Sequence, residues 1–75
     1  MYTLDKLKIN KTVFIDNVDI SDGFRRRLLD LGFIKGSKIT ALYKSPSKNP
    51  TAYLIKGAVI AIRDEDAKQI KITTR

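Results

Sequence analysis

The sequence predicts a small, mainly β domain with one inserted helix, and three observations carry that reading. Short runs rich in β-branched and aromatic residues recur at 12–18, 38–44, 51–55, 58–63 and 70–73, the composition of half-buried strands. One stretch, Ser21 to Gly36, carries a helical apolar repeat with a start and a stop signal. At 75 residues the chain is short enough for a single domain, 1–75, with a core of about a dozen side chains.

The helix is expected over about residues 22–31. Ser21 offers a hydroxyl to a free amide of the first turn, and Asp22 sets negative charge at the positive end of the helix dipole. Phe24, Leu28 and Leu31 fall at i, i+4 and i+7 and form an apolar stripe. Gly32 stands where a left-handed residue ends a helix, with Phe33 placed to pack back on the last turn. Ile34-Lys35-Gly36-Ser37 reads as a type II turn, Gly36 supplying the positive φ.

Before this unit, Thr3 to Leu7 reads as one helical turn with Leu4 and Leu7 facing inward. Asn10-Lys11 reads as a turn, since Asn tolerates the left-handed region. In the strand Thr12 to Val18, Val13 and Ile15 point one way and Phe14 and Asp16 the other. After it, Ile39, Ala41 and Tyr43 alternate with Lys38, Thr40, Leu42 and Lys44. The segment Ser45 to Pro50 is a loop, its two prolines barring a central strand. Thr51 to Ile55 and Ala58 to Arg63 form a hairpin about Lys56-Gly57. A helical turn near 64–69 starts with Asp64-Glu65-Asp66, which suits the helix dipole. Ile70 to Thr73 closes the chain as a strand. About five short strands closing on themselves make a small SH3-like barrel, an open roll being the alternative.

Composition excludes several function classes. The chain holds no cysteine and no histidine, so disulfides, thiolate metal sites and nucleophile–histidine pairs are ruled out. No nucleophile–base set can be assembled, and an enzyme is not expected. Neither is a resident cofactor or a metal centre: three successive carboxylates at Asp64, Glu65 and Asp66 point in different directions on a helical turn. No apolar run approaches the ~20 residues that span a bilayer, and the first residues are not a signal peptide. A cytoplasmic protein is the expectation. The formal net charge is +7, and no acidic residue occurs between Asp30 and Asp64, where Lys35, Lys38, Lys44, Lys48 and Lys56 fall. Such a field either keeps a small domain in solution or attracts an acidic partner.

With these residues placed, the chain resembles the FeoA family. The most specific part is Arg27-Leu28-Leu29-Asp30-Leu31-Gly32-Phe33-Ile34-Lys35-Gly36, matching the family's Arg-Leu, two spacers, an apolar residue, Gly, and a second Gly four positions on. The second part is Lys56-Gly57-Ala58-Val59-Ile60-Ala61-Ile62-Arg63 followed by Ala67, Ile70 and Ile72, similar to the family's Gly hairpin, apolar-Ala-apolar-Arg strand, final helical turn and strand. The sequence departs from the pattern at Asn10 (usually Gly), Lys35 (often Pro) and Lys48-Asn49 (usually Gly-Asp). The resemblance implies an SH3-like, non-catalytic accessory protein of bacterial ferrous iron uptake, promoting or regulating Fe2+ transport. It would work with the membrane transporter FeoB, through that transporter's cytosolic GTP-binding part.

Five residues are candidates for partner binding: Leu54, Val59, Lys44, Lys48 and Arg25. Leu54 and Val59, with Ala52 and Ala61, lie on the hairpin face opposite Tyr53, Ile55, Ile60 and Ile62, the expected interior. Family members resembling this chain usually carry polar residues at the positions of Leu54 and Val59, so an apolar outer face suits a contact with a partner or a second copy. Alternatively, the Ser45–Pro50 loop or the N-terminal turn covers it. Among the three arginines, Arg26 is placed to pair with Asp30 at i+4. Arg27 lies beside the apolar stripe, its stem covering the core edge, and Arg25 is left for a partner. Nucleic acid, bound by the basic face with Tyr43 as a stacking platform, is a second function class, disfavoured because no aromatic cluster stands out. A third is a regulatory module like the SH3-like domain of iron-dependent repressors, against which the lack of a DNA-reading helix counts.

Overall fold

In the computed structural model, which describes residues 2–20 and 23–74, the chain runs through β1 (Tyr2–Thr3), a 3-10 turn (Leu4–Lys6), β2 (Thr12–Val18), α1 (Gly23–Asp30), β3 (Lys38–Lys44), β4 (Thr51–Ile55), β5 (Ala58–Ile62), α2 (Asp64–Ala67) and β6 (Ile70–Thr73). The strands form one antiparallel sheet in the order β1-β6-β2-β3-β4-β5. The five expected strands are all present, and Tyr2–Thr3 adds a sixth by pairing with Ile72 and Lys71. The cap expected at Ser21 and the charge at Asp22 lie outside the described residues.

The end of α1 follows from three residues. Gly32 takes φ 106, its N–H donates to the Leu29 carbonyl at 3.1 Å, and the Phe33 N–H donates to the Leu28 carbonyl at 3.0 Å. These two bonds satisfy carbonyls that a helix end leaves open. They also swing Phe33 under the helix, where it is completely buried beside the equally buried Leu28. Leu31, expected in the apolar stripe, is instead 40% exposed. The helix stops at Asp30, one residue short of carrying Leu31 inward, and Phe33 fills the space. The type II turn forms as expected: the Ser37 N–H donates to the Ile34 carbonyl, with Gly36 at φ 92. This turn is also stitched to β2, since Gly36 N–H donates to the Ile15 carbonyl and Ile15 N–H to the Ser37 carbonyl, each at 2.8 Å. The chain is thereby handed from helix to β3 in fixed register.

Side chains from β2 to β6, from both helices and from the N-terminal turn meet in one core. Leu4, Leu7, Val13, Ile15, Leu28, Phe33, Ile39, Ala41, Tyr53, Ile55, Ile62, Ala67, Ile70 and Ile72 are buried there, and Phe24 and Ile60 pack against it partly exposed. Complete burial of an aliphatic side chain contributes ~1.5–3 kcal/mol. Asn10 adopts φ 69, the left-handed geometry that Asn tolerates.

One alternation departs from expectation. Ile39 and Ala41 face inward, but Tyr43 is 59% exposed. The β3–β4 register shifts between Ala41 and Tyr43: Leu42 is the extra residue of a bulge, which turns every later side chain of β3 to the opposite face.

Among the described residues, Tyr53 is the core residue with a titratable group whose equilibrium is displaced. Burial raises its phenol from 10.0 to about 12; a hydrogen bond with Thr51 acts the other way, and the carboxylates of Asp64 and Asp5 add to the rise. Its hydroxyl reaches the Leu4 carbonyl only at 3.5 Å, the outer limit of a hydrogen bond.

Two predictions follow from this core. Folding favours the neutral phenol, so its contribution is fully present below pH 10.0 and is lost as pH rises toward about 12. Denaturant midpoints measured across that window should fall for the wild-type chain and fall less for Tyr53→Phe, and parallel curves would refute the assignment. The second concerns Gly32, where an added Cβ would meet Lys56 Cγ at 2.5 Å, whereas Gly36 has open space around it. Alanine at either glycine carries ~1–2 kcal/mol of left-handed strain, and Gly32→Ala should lose more. In a Lys56→Ala background the excess at Gly32 should shrink; an unchanged excess in chemical denaturation would show that Lys56 is not its cause.

Candidate functional site

The outer face of the β4–β5 hairpin leaves apolar area uncovered, as do Leu31 and Ile34 at the end of α1. Thr12, Thr40, Leu54 and Val59 are successive partners across β2, β3, β4 and β5, so their side chains share one face. Beyond the bulge, Tyr43, Ala52 and Ala61 form the neighbouring row of that face. Leu54 is 38% and Val59 58% exposed, and Ala61 is also exposed. Ala52, expected to be open with them, is buried between Tyr43 and Ala61 in its row. Tyr43 therefore joins Leu54, Val59 and Ala61 in one strip. Polar atoms bound the strip on the β2 side, where the Thr12 and Thr40 hydroxyls are 2.7 Å apart.

Neither of the two covers considered from the sequence lies over this strip. The Ser45–Pro50 loop closes on itself: Ser45 N–H donates to the Pro50 carbonyl and Lys48 N–H to the Ser45 carbonyl, while the Ser45 hydroxyl donates to the Asn49 carbonyl at 2.9 Å. It is fixed to α2 by Asn49, whose Oδ1 accepts the Asp64 N–H at 3.0 Å. A side chain from a distant loop thus caps the short acidic helix. The N-terminal turn packs against α2 and β6.

The three basic candidates are not gathered around Leu54 and Val59. Lys44 pairs with Thr51 and Thr51 with Ile62, the row that faces inward, and Lys44 Nζ reaches Thr51 Oγ1 at 3.4 Å. Lys48 is exposed on the loop that leans on α2, with φ 68. Arg25 is not the free cation expected: its Nε donates to the Val18 carbonyl at 3.2 Å. It lines a groove of about 480 Å³ with Asp16, Leu29, Ile34 and Lys35, to which neither β4 nor β5 contributes. Arg26 meets Asp30 at 4.0 Å with both side chains well exposed, a pair worth little. The lysines between Asp30 and Asp64 are likewise dispersed, Lys56 laying its stem on Gly32.

Sequence reasoning missed Tyr43 as a member of the strip. A bulge has no compositional signature in this strand, and alternation grouped the residue with Ile39 and Ala41 while its position beside the loop left its orientation open. Among the described residues, no three His, Cys, Asp or Glu side chains stand together to hold a metal ion. No helix among them is long and apolar enough to cross a membrane.

Comparison with known proteins places these features in a family. The FeoA domain model matches residues 2–74. An Fe(2+) transport protein A/Fe(2+) transporter FeoB fusion protein of Porphyromonas gingivalis is 32% identical over 69 residues, which are 92% of this chain but 8% of the fusion protein. The solution structure of FeoA from Chlorobium tepidum superposes with a TM-score of 0.90 at 28% identity, over 96% of this chain and 69% of that one. The zinc complex of FeoA from Stenotrophomonas maltophilia, described as a prokaryotic SH3 domain protein, gives 0.86 at 26% identity, over 97% and 91% of the two chains. The SH3-like architecture expected from the strand pattern is thus the one the relatives share. With its helix stop, its Lys56-Gly57 hairpin and its strand order all in place, this chain belongs to the FeoA family.

Proposed function

We propose that the chain is a non-catalytic, cytoplasmic accessory factor of ferrous iron transport that docks on a FeoB-type transporter through the outer face of the β4–β5 hairpin. The observation that carries this reading is the Porphyromonas gingivalis fusion, in which a segment similar to this chain is joined to FeoB in one polypeptide. Covalent fusion holds two partners at high effective concentration, which is of use when separate copies must find one another. The relative from Stenotrophomonas maltophilia has itself been put forward as a ferrous iron transport activating factor.

Within that reading, the strip of Tyr43, Leu54, Val59 and Ala61 supplies the apolar contact, and β5 supplies a sheet edge with backbone groups open to pairing. The net charge of +7 acts on the rate of encounter with an acidic surface more than on the final contact. Activation or inhibition of transport then requires only that the chain bind one transporter state better than another. Fe2+ is the cargo of the transporter in this scheme and makes no bond to this chain.

The test is binding of the chain to the isolated cytosolic GTP-binding domain of its cognate transporter, with and without a non-hydrolysable GTP analogue. Saturable binding is expected. Leu54→Asp should weaken it by roughly tenfold or more, since a carboxylate would be forced into an apolar contact, while changing stability by only about 1 kcal/mol at a half-open strand position. Binding that survives Leu54→Asp but vanishes at moderate salt would move the contact to the lysines. Absence of binding, in either nucleotide state, would overturn docking on that domain.

A further inference from the structure

A second groove, of about 400 Å³, lies at the other end of the sheet and has a different character. It is lined by Tyr2, Lys6, Leu7, Lys8, Lys11, Thr12, Val13 and Thr74. Three lysines from two separate turns surround a floor formed by Leu7 and Val13, and among the described residues no acidic side chain lines it. Asp5, the carboxylate next in sequence, accepts the Thr3 hydroxyl. The Lys8–Lys11 turn is held by its backbone, Lys11 N–H to the Lys8 carbonyl and Asn10 N–H to the Ala41 carbonyl, so the ammonium groups are presented by a braced segment. All three lysines are exposed.

We infer that this groove binds an acidic peptide segment of a partner protein, its carboxylates meeting Lys6, Lys8 and Lys11 and an apolar side chain resting on Tyr2, Leu7 and Val13. Charge complementarity selects the sign of the ligand: three ammonium groups at one groove repel one another and are relieved by carboxylates. Shape selects its class. A concave site with an apolar floor takes a side chain, whereas a bilayer surface would touch only the rim. A single aromatic at the rim offers no ladder for successive bases. The groove reaches the hairpin strip through Thr12, which lines the one and pairs with Thr40 beside the other. The inference does not rest on docking through the hairpin, and the experiment separates the two.

The probe is a fluorescein-labelled synthetic peptide of alternating leucine and glutamate, titrated by anisotropy against the full chain at two salt concentrations. Its counterpart with lysine in place of glutamate, polyuridylate, and phosphatidylcholine vesicles containing phosphatidylserine are run beside it. The acidic peptide should bind saturably and more weakly in high salt, and the lysine peptide should not bind. Lys8→Glu/Lys11→Glu should weaken binding about tenfold or more, Lys8→Ala/Lys11→Ala by less, and Leu54→Asp should leave it unchanged. Circular dichroism melts of both lysine variants establish that they are folded. No binding of the acidic peptide, or binding undiminished in the folded charge-reversal variant, overturns the inference. Lysine-dependent binding of polyuridylate or of the vesicles without binding of the peptide assigns the groove to that other class, and overturns it equally.

Discussion

The seam between Leu28 and Phe33 is the constraint from which the rest of the structure follows. A helix inserted between two strands must return the chain to the sheet at a defined height and register. Here a left-handed Gly32 and two hydrogen bonds to Leu28 and Leu29 do so, with both apolar partners fully buried. The next four residues form the turn bonded to Ile15, and the β2–β3 register, Val13 opposite Ile39, is set by it. Strand β4 pairs with β3, and β5 with β4. A slip of one residue in the β2–β3 pairing would exchange the faces of β3, the strand against which β4, with Tyr53 and Leu54, is aligned.

Most of the fold was legible because its signals are local. The Gly32 stop, the Gly36 turn and the Lys56-Gly57 hairpin each need one residue type at one place, and the structure has all three at positive φ. Elements defined by tertiary pairing were harder. Tyr2–Thr3 is too short to show a period and is a strand only because β6 is there to pair with it. Leu31 satisfies the helical repeat, yet the helix ends at Asp30, so Phe33 rather than Leu31 completes the core.

The candidate site was legible in its apolar half and not in its basic half. Leu54 and Val59 follow directly from hairpin alternation, and the structure leaves both exposed. A run of lysines in sequence says little about clustering in space, because strands alternate faces and loops lean where their hydrogen bonds take them. Lys44 turns toward Thr51, Lys48 rides on a loop tied to Asp64, and Arg25 is tethered to Val18. The lysines that do gather, Lys6, Lys8 and Lys11, lie in a stretch containing Asp5, where linear charge counting finds nothing unusual. In the fold Asp5 lies outside the lining of that groove and accepts the Thr3 hydroxyl.

The barrel interior is filled, from Phe33 under the helix to Tyr53 at the centre, so any recognition by this domain must use its outside. Two unlike surfaces are available there, an apolar strip on β3 to β5 and a basic groove between the N-terminal turn and β2, meeting at the Thr12–Thr40 pair. Neither surface needs to be strong. A second contact made by an already bound partner is intramolecular, and its effective concentration multiplies the first. Held on one rigid sheet, the two surfaces would, in the proposed reading, measure the spacing between an apolar and an acidic element of the partner. A transporter that changes that spacing between its states would be bound tightly in one and weakly in the other. That difference in affinity is all a non-catalytic domain requires to bias transport.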